Sequence, residues 1–229
     1  MEKRTKERLK GAMLFLALAI PAAWLVFQWS LYASGRPHDL GFNPQETSNR
    51  FGGIWAIRML ILALAVSPAA LMLGQPGLVR YRRMIGLYAF FYATMHLLSY
   101  FVLDLGLDGG ALVEDILKRR YILFGILAFS CLLPLAITST KGWTKRLGAR
   151  RWKRLHRLVY LAGLAAALHY LMLAKGNRLE PKVYAAILML LLLVRIIPPA
   201  RLPCLDPRSR KRHPRTEEES DRMPRVPGK

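Results

Sequence analysis

Arg82-Arg83-Met84-Ile85-Gly86-Leu87-Tyr88-Ala89-Phe90-Phe91-Tyr92-Ala93-Thr94-Met95-His96-Leu97-Leu98-Ser99-Tyr100-Phe101-Val102-Leu103 is the stretch that decides the fold. From Met84 to Leu103 it contains no acid, lysine or arginine, and two arginines stand directly before it. A run of about 20 apolar residues is what an α-helix needs to cross ~30 Å of hydrocarbon. One histidine, His96, sits inside the run. Ionisable groups within a bilayer are costly, so they usually mark function.

Outward from this block, five more of similar length follow the same pattern. They run from about Gly11 to Tyr32, Ile54 to Leu73, Tyr121 to Thr138, Leu155 to Leu173 and Val183 to Pro199. The first has a basic flank like a secretory signal, but its apolar run is longer than the usual signal core of roughly 7–15 residues, so an uncleaved span is expected. The loops alternate in charge. The N-terminal flank is basic, Ser34 to Gly53 is mixed, and the second loop holds Arg80, Arg82 and Arg83 without an acid. Asp104 to Arg120 is again mixed. The fourth loop carries Lys141, Lys145, Arg146, Arg150, Arg151, Lys153 and Arg154. Positive loops stay on the cytoplasmic side. The expected fold is therefore all-α: a polytopic bundle of six transmembrane helices with both termini cytoplasmic. Residues 1–10 form a basic N-terminus, 11–200 the membrane domain, and 201–229 a basic tail too poor in apolar residues to fold alone.

Composition agrees with this reading. The 229 residues are 53% hydrophobic, yet Lys+Arg outnumber Asp+Glu by 35 to 14. In a soluble domain a net charge of +21 would suggest nucleic acid. Here the cations lie between apolar blocks and report topology, with attraction to anionic membrane lipid as a second consequence; no nucleic-acid partner is expected. The two cysteines, Cys131 and Cys204, make no C-x-x-C or C-x-x-C-H pattern. Neither covalent haem attachment nor a cysteine-ligated Fe–S cluster is indicated. No Gly-rich dinucleotide fingerprint or P-loop is present.

Five histidines occur, and three lie in blocks: His96 in the third, and His156 and His169 in the fifth. His38 is in a loop and His213 in the tail. His96 is 13 residues past Arg83 and His169 is 15 past Arg154. At 1.5 Å per residue both lie roughly 20 Å from the cytoplasmic boundary. Two neutral imidazoles at one depth on two helices can clamp a haem iron from both faces. A lone span histidine would more simply hydrogen-bond a neighbouring helix; a depth-matched pair favours the metal. His156 sits about 20 Å below His169 and roughly 140° around the helix. Its role stays open between a second haem with another partner, a flavin or quinone contact, and a proton shuttle. Arg58 is a candidate partner for a haem propionate, although snorkelling to the interface explains it equally well. The tryptophans read as interfacial anchors and the methionines as packing. No Asp or Glu is buried mid-span, which weakens a proton-coupled transporter.

Several motifs resemble one family. They are Arg82-Arg83-Met84-Ile85-Gly86-Leu87 with Phe90, Tyr92, Ala93, His96 and Tyr100, then Lys118-Arg119-Arg120-Tyr121, and Pro134-Leu135-Ala136-Ile137-Thr138-Ser139. Trp152-Lys153-Arg154-Leu155-His156-Arg157-Leu158-Val159-Tyr160, then His169 and Lys175, and Gly53-Ile54-Trp55-Ala56-Ile57-Arg58 complete the set. Over roughly residues 10–200 the chain resembles the MsrQ (YedZ) family, within the ferric-reductase-like transmembrane superfamily. That resemblance implies a bacterial inner-membrane, haem b electron-transfer subunit that performs no catalysis itself. It would pass electrons from the quinone pool, or a cytoplasmic flavin reductase, to a periplasmic MsrP-type molybdopterin reductase that repairs oxidised methionine in proteins. It also implies FMN, for which no residue here speaks independently. His96, His156 and His169 fall on the family's histidine positions. The competing expectations are a small haem-free transporter and a membrane scaffold for a partner protein.

Overall fold

The computed structural model describes residues 2–173 and 178–196. The expectation for residues 201–229 falls outside that range, as do His213 and Cys204. All regular structure among the described residues is helical. The long helices are α1 (Glu2–Ala33), α2 (Pro44–Met72), α3 (Arg82–Ser99), α5 (Arg120–Ile137), α7 (Leu158–Leu173) and α8 (Leu179–Ile196). Two shorter ones, α4 (Gly109–Lys118) and α6 (Lys141–Leu155, broken at Gly148 with φ +72°), occupy loops. A 3-10 turn (Pro76–Tyr81) precedes α3 and a π-helical turn (Tyr100–Asp104) extends it.

Local chemistry sets the boundaries. The Asn43 side chain accepts from the Glu46 N–H at 3.2 Å, and Pro44 opens α2 where its missing N–H costs nothing. Asp108 caps α4 by accepting from Gly110 and Ala111 at 2.7 and 3.1 Å. Gly74, at φ +65°, supplies the left-handed residue just past α2.

Four segments are long and apolar enough to cross a bilayer: 5–33, 44–72, 76–104 and 120–137. The pair α6 and α7, bent by 43°, makes a fifth if read as one span. The sixth expected span, α8, has 18 residues but includes Glu180, Lys182 and Arg195 near its ends. The structure thus shows a multi-pass membrane protein with four or five clear spans. Its lipid-facing character is visible on α1, where Met13, Phe15, Leu16 and Ile20 are all exposed. A water-soluble bundle would not leave such a surface uncovered.

Inside, small residues let helices approach: Ala162, Gly163, Ala165 and Ala167 on α7 are buried. Pro21, Pro68 and Pro134 lie inside helices, and beside the first two a side chain from another helix bonds the backbone. Near Pro21 of α1, the Tyr92 hydroxyl accepts from Ala22 N–H at 3.3 Å and donates to the Leu18 carbonyl at 2.7 Å. These two backbone groups are an i, i+4 pair, so one hydroxyl bridges them. Tyr92 is fully buried. Pro68 of α2 has no N–H for the Leu64 carbonyl four residues earlier, and Arg195 of α8 donates to that oxygen at 3.0 Å.

Candidate functional site

Helix α3 packs along α2, and α7 packs along α5. Each pair carries one histidine inward. The rings of His96 (α3) and His169 (α7) face each other with centres 6.0 Å apart and planes at 71°. Both are partly buried. The Nδ1 of His96 lies 2.8 Å from the Asn49 carbonyl on α2. The Nδ1 of His169 lies 2.6 Å from the Tyr121 carbonyl on α5. A carbonyl oxygen only accepts, so Nδ1 carries the proton in both rings and Nε2 keeps its lone pair. Histidines that bind metals are oriented in this way, the second nitrogen fixed by an outer hydrogen bond.

The separation has chemical meaning. Imidazole–metal bonds are about 2 Å long. With roughly 1 Å more from each nitrogen to its ring centre, two imidazoles on one iron place their centres about 6 Å apart. The observed 6.0 Å fits. Among the described residues no group of three His, Cys, Asp or Glu could hold a metal ion. A zinc site would want three or four protein ligands, whereas haem asks for only two. The residues present therefore suit haem.

A polar cluster lies beside this pair, at the start of α5. Tyr100 donates to Asp115, Arg119 pairs with Asp115 at 3.0 Å, and Arg119 donates to the Tyr121 hydroxyl at 3.4 Å. The Tyr121 ring centre is 6.2 Å from that of His169.

The other sequence candidates sit elsewhere. His156 lies at the bend between α6 and α7, its ring stacked on Trp152 at 3.8 Å and its Nδ1 3.2 Å from the Trp152 carbonyl. Among the described residues no second histidine joins it. Arg58 is nine residues along α2 from Asn49, about 13 Å beyond the carbonyl that holds His96. It donates to the Tyr184 hydroxyl of α8 at 2.7 Å and lies over the Trp55 ring at 5.0 Å. The structure thus brings His96 and His169 together and leaves His156 and Arg58 apart. His38 accepts from Leu40 N–H at 3.2 Å and meets the Tyr32 ring edge-on at 5.1 Å. The carbonyls of Asn49 and Tyr121 escaped the sequence reading, because a backbone acceptor has no residue type to announce it.

Comparison with known proteins gives a consistent picture. Residues 52–167 match the family described as ferric reductase like transmembrane component. A protein-methionine-sulfoxide reductase heme-binding subunit MsrQ from Rhodospirillum rubrum is 44% identical over 198 residues, 86% of this chain and 92% of that protein. Its namesake from Caulobacter vibrioides is 43% identical over 193 residues, 84% of this chain and 89% of the other. The magnetosome protein MamZ of Magnetospirillum gryphiswaldense is 42% identical over 180 residues, 79% of this chain but 28% of its own length.

Proposed function

Because the chain belongs to the MsrQ family of ferric-reductase-like membrane proteins, we propose that it is a haem b electron-transfer subunit of a protein-methionine-sulfoxide reductase system. One observation carries the reading: two imidazoles on separate helices, 6.0 Å apart, each with Nδ1 held by a backbone carbonyl and Nε2 free.

In this reading His96 and His169 hold the haem iron through Nε2. Bound haem supplies a one-electron couple whose potential the protein sets. The carbonyls of Asn49 and Tyr121 fix the tautomer and raise ligand basicity. The apolar bundle around the rings keeps water out. The chain performs no sulfoxide chemistry itself. It accepts electrons from the quinone pool or a cytoplasmic flavin reductase and delivers them to a periplasmic molybdopterin reductase of the MsrP kind. Nothing in the site's geometry speaks for FMN.

The topology we propose has α1, α2, α3, α5, α7 and α8 crossing the bacterial inner membrane, with both termini cytoplasmic. Helix α6 lies on the cytoplasmic surface: it carries Lys141, Lys145, Arg146, Arg150, Arg151, Lys153 and Arg154 in 15 residues, without an acid. Helix α4 then lies on the outer surface.

The likeness to part of MamZ favours a second reading of the partner alone, with the same membrane module serving a different recipient. An absorption spectrum of the detergent-solubilised protein tests the haem reading. A band that shifts on reduction is expected; its absence sinks the redox account and favours a transporter or scaffold. Electron delivery to a purified MsrP-type reductase then decides between the two partners.

A further inference from the structure

Each histidine ring rests on a helix that has no side chain at the point of contact. A Cβ added to Gly53 of α2 would lie 3.1 Å from His96 Cε1 and 3.2 Å from its Nδ1. A Cβ added to Gly125 of α5 would lie 2.9 Å from His169 Nδ1 and 3.0 Å from its Cε1. Gly52 adds a backbone approach, since its Cβ would meet the His96 Cα at 3.2 Å.

The register is the same in both places. Gly53 stands four residues after Asn49, and Gly125 four residues after Tyr121, the two residues whose carbonyls accept from the histidines. In a helix the carbonyl of residue i points at the N–H of residue i+4. Side chains lean toward the N-terminus, so a side chain at i+4 shades that carbonyl. Glycine there leaves the oxygen's second lone pair open to a donor from a neighbouring helix. Neither glycine has positive φ, so neither is needed for backbone shape. As glycine is a poorer helix former than alanine, a reason beyond the helix itself is called for.

We infer that Gly53 and Gly125 are positioning residues: each opens a backbone carbonyl that locks the facing histidine with Nε2 turned toward the other ring. The inference rests on the haem reading above and deepens it. It assigns the ligand geometry to two residues with no side chain, used twice in one register on two helix pairs.

The test uses the full-length protein in detergent, with Gly53→Ala and Gly125→Ala as the variants. The controls are Gly163→Ala, whose Cβ would make an ordinary 3.7 Å contact with Leu64, and Gly86→Ala, whose Cβ would meet nothing within 4 Å. The readouts are the low-spin ferric signal of bis-imidazole haem, its midpoint potential and the melting temperature. Gly125→Ala should lose the low-spin signal from most of its haem. Gly53→Ala, with the looser contact, should keep part of it at a shifted potential. Both controls should match the wild type in signal and potential, with a melting temperature no lower. A wild-type signal and potential in both glycine variants would overturn the inference alone, as would equal changes in the controls. A wild-type protein with no haem signal would overturn the haem reading with it. Should Gly125→Ala fold poorly, the His169→Ala background decides. There the added methyl should not lower the melting temperature, and a fall as large as in the wild type would overturn the contact.

Discussion

The Tyr121 carbonyl sits 2.6 Å from Nδ1 of His169, so that ring keeps its lone pair on Nε2, and its centre lies 6.0 Å from that of His96. This contact gives the ring a direction as well as a place. His169→Ala and His96→Ala should each abolish the low-spin haem band of the purified protein. His156→Ala should retain it, since that ring stacks on Trp152 at the far bend. Full low-spin haem in both of the first two variants would remove the axial pair.

Tyr92→Phe removes the hydroxyl that bridges Ala22 N–H and the Leu18 carbonyl beside Pro21. Interhelical hydrogen bonds in membranes are worth about 0.6 kcal/mol on average. Here two backbone groups lose one partner, so a loss of about 1 kcal/mol is expected. Thermal unfolding in detergent measures it, and the haem spectrum should not change.

Asp115 holds α4 to the end of α3 and the start of α5 through Tyr100 and Arg119. Asp115→Asn keeps an acceptor for Tyr100 and removes the charge opposite Arg119. Arg119 is half-exposed, so solvent screens the pair and the cost should be only about 1 kcal/mol. Proteolysis or hydrogen exchange in 104–119 should quicken, while exchange in α7 stays as it was.

Topology can be mapped with single cysteines in a Cys131→Ser, Cys204→Ser background and a membrane-impermeant thiol reagent on intact cells. Cysteines placed at Glu114 or Lys118 should label from outside. Those placed at Lys145 or Arg150 should label only after the cells are opened. Outside labelling at Lys145 would invert the orientation.

How much of this was readable from the chain depends on what each feature is made of. The long apolar helices follow from blocks such as Met84–Leu103, whose charge-free length has one physical meaning in a bilayer. That His96 and His169 share a level follows from counting residues to Arg83 and Arg154. Helices α4 and α6 are not legible in the sequence, because one is ten residues long and the other is strongly cationic. Arg58 was placed by depth alone. Its direction, toward Tyr184, depends on how α8 packs, which residue counts do not contain. The role of Arg195 at the Leu64 carbonyl was hidden in the same way. A proline signals a freed acceptor, but not which distant side chain will reach it.

Each imidazole is docked on the partner within its own hairpin: His96 on α2, His169 on α5. Neither needs the other half of the bundle to be aimed. The nascent chain can therefore finish two separate half-sites in order of synthesis, with the prosthetic group arriving last as the clasp between them. Apoprotein built this way should await its cargo in a nearly complete shape, and loading should cost little rearrangement.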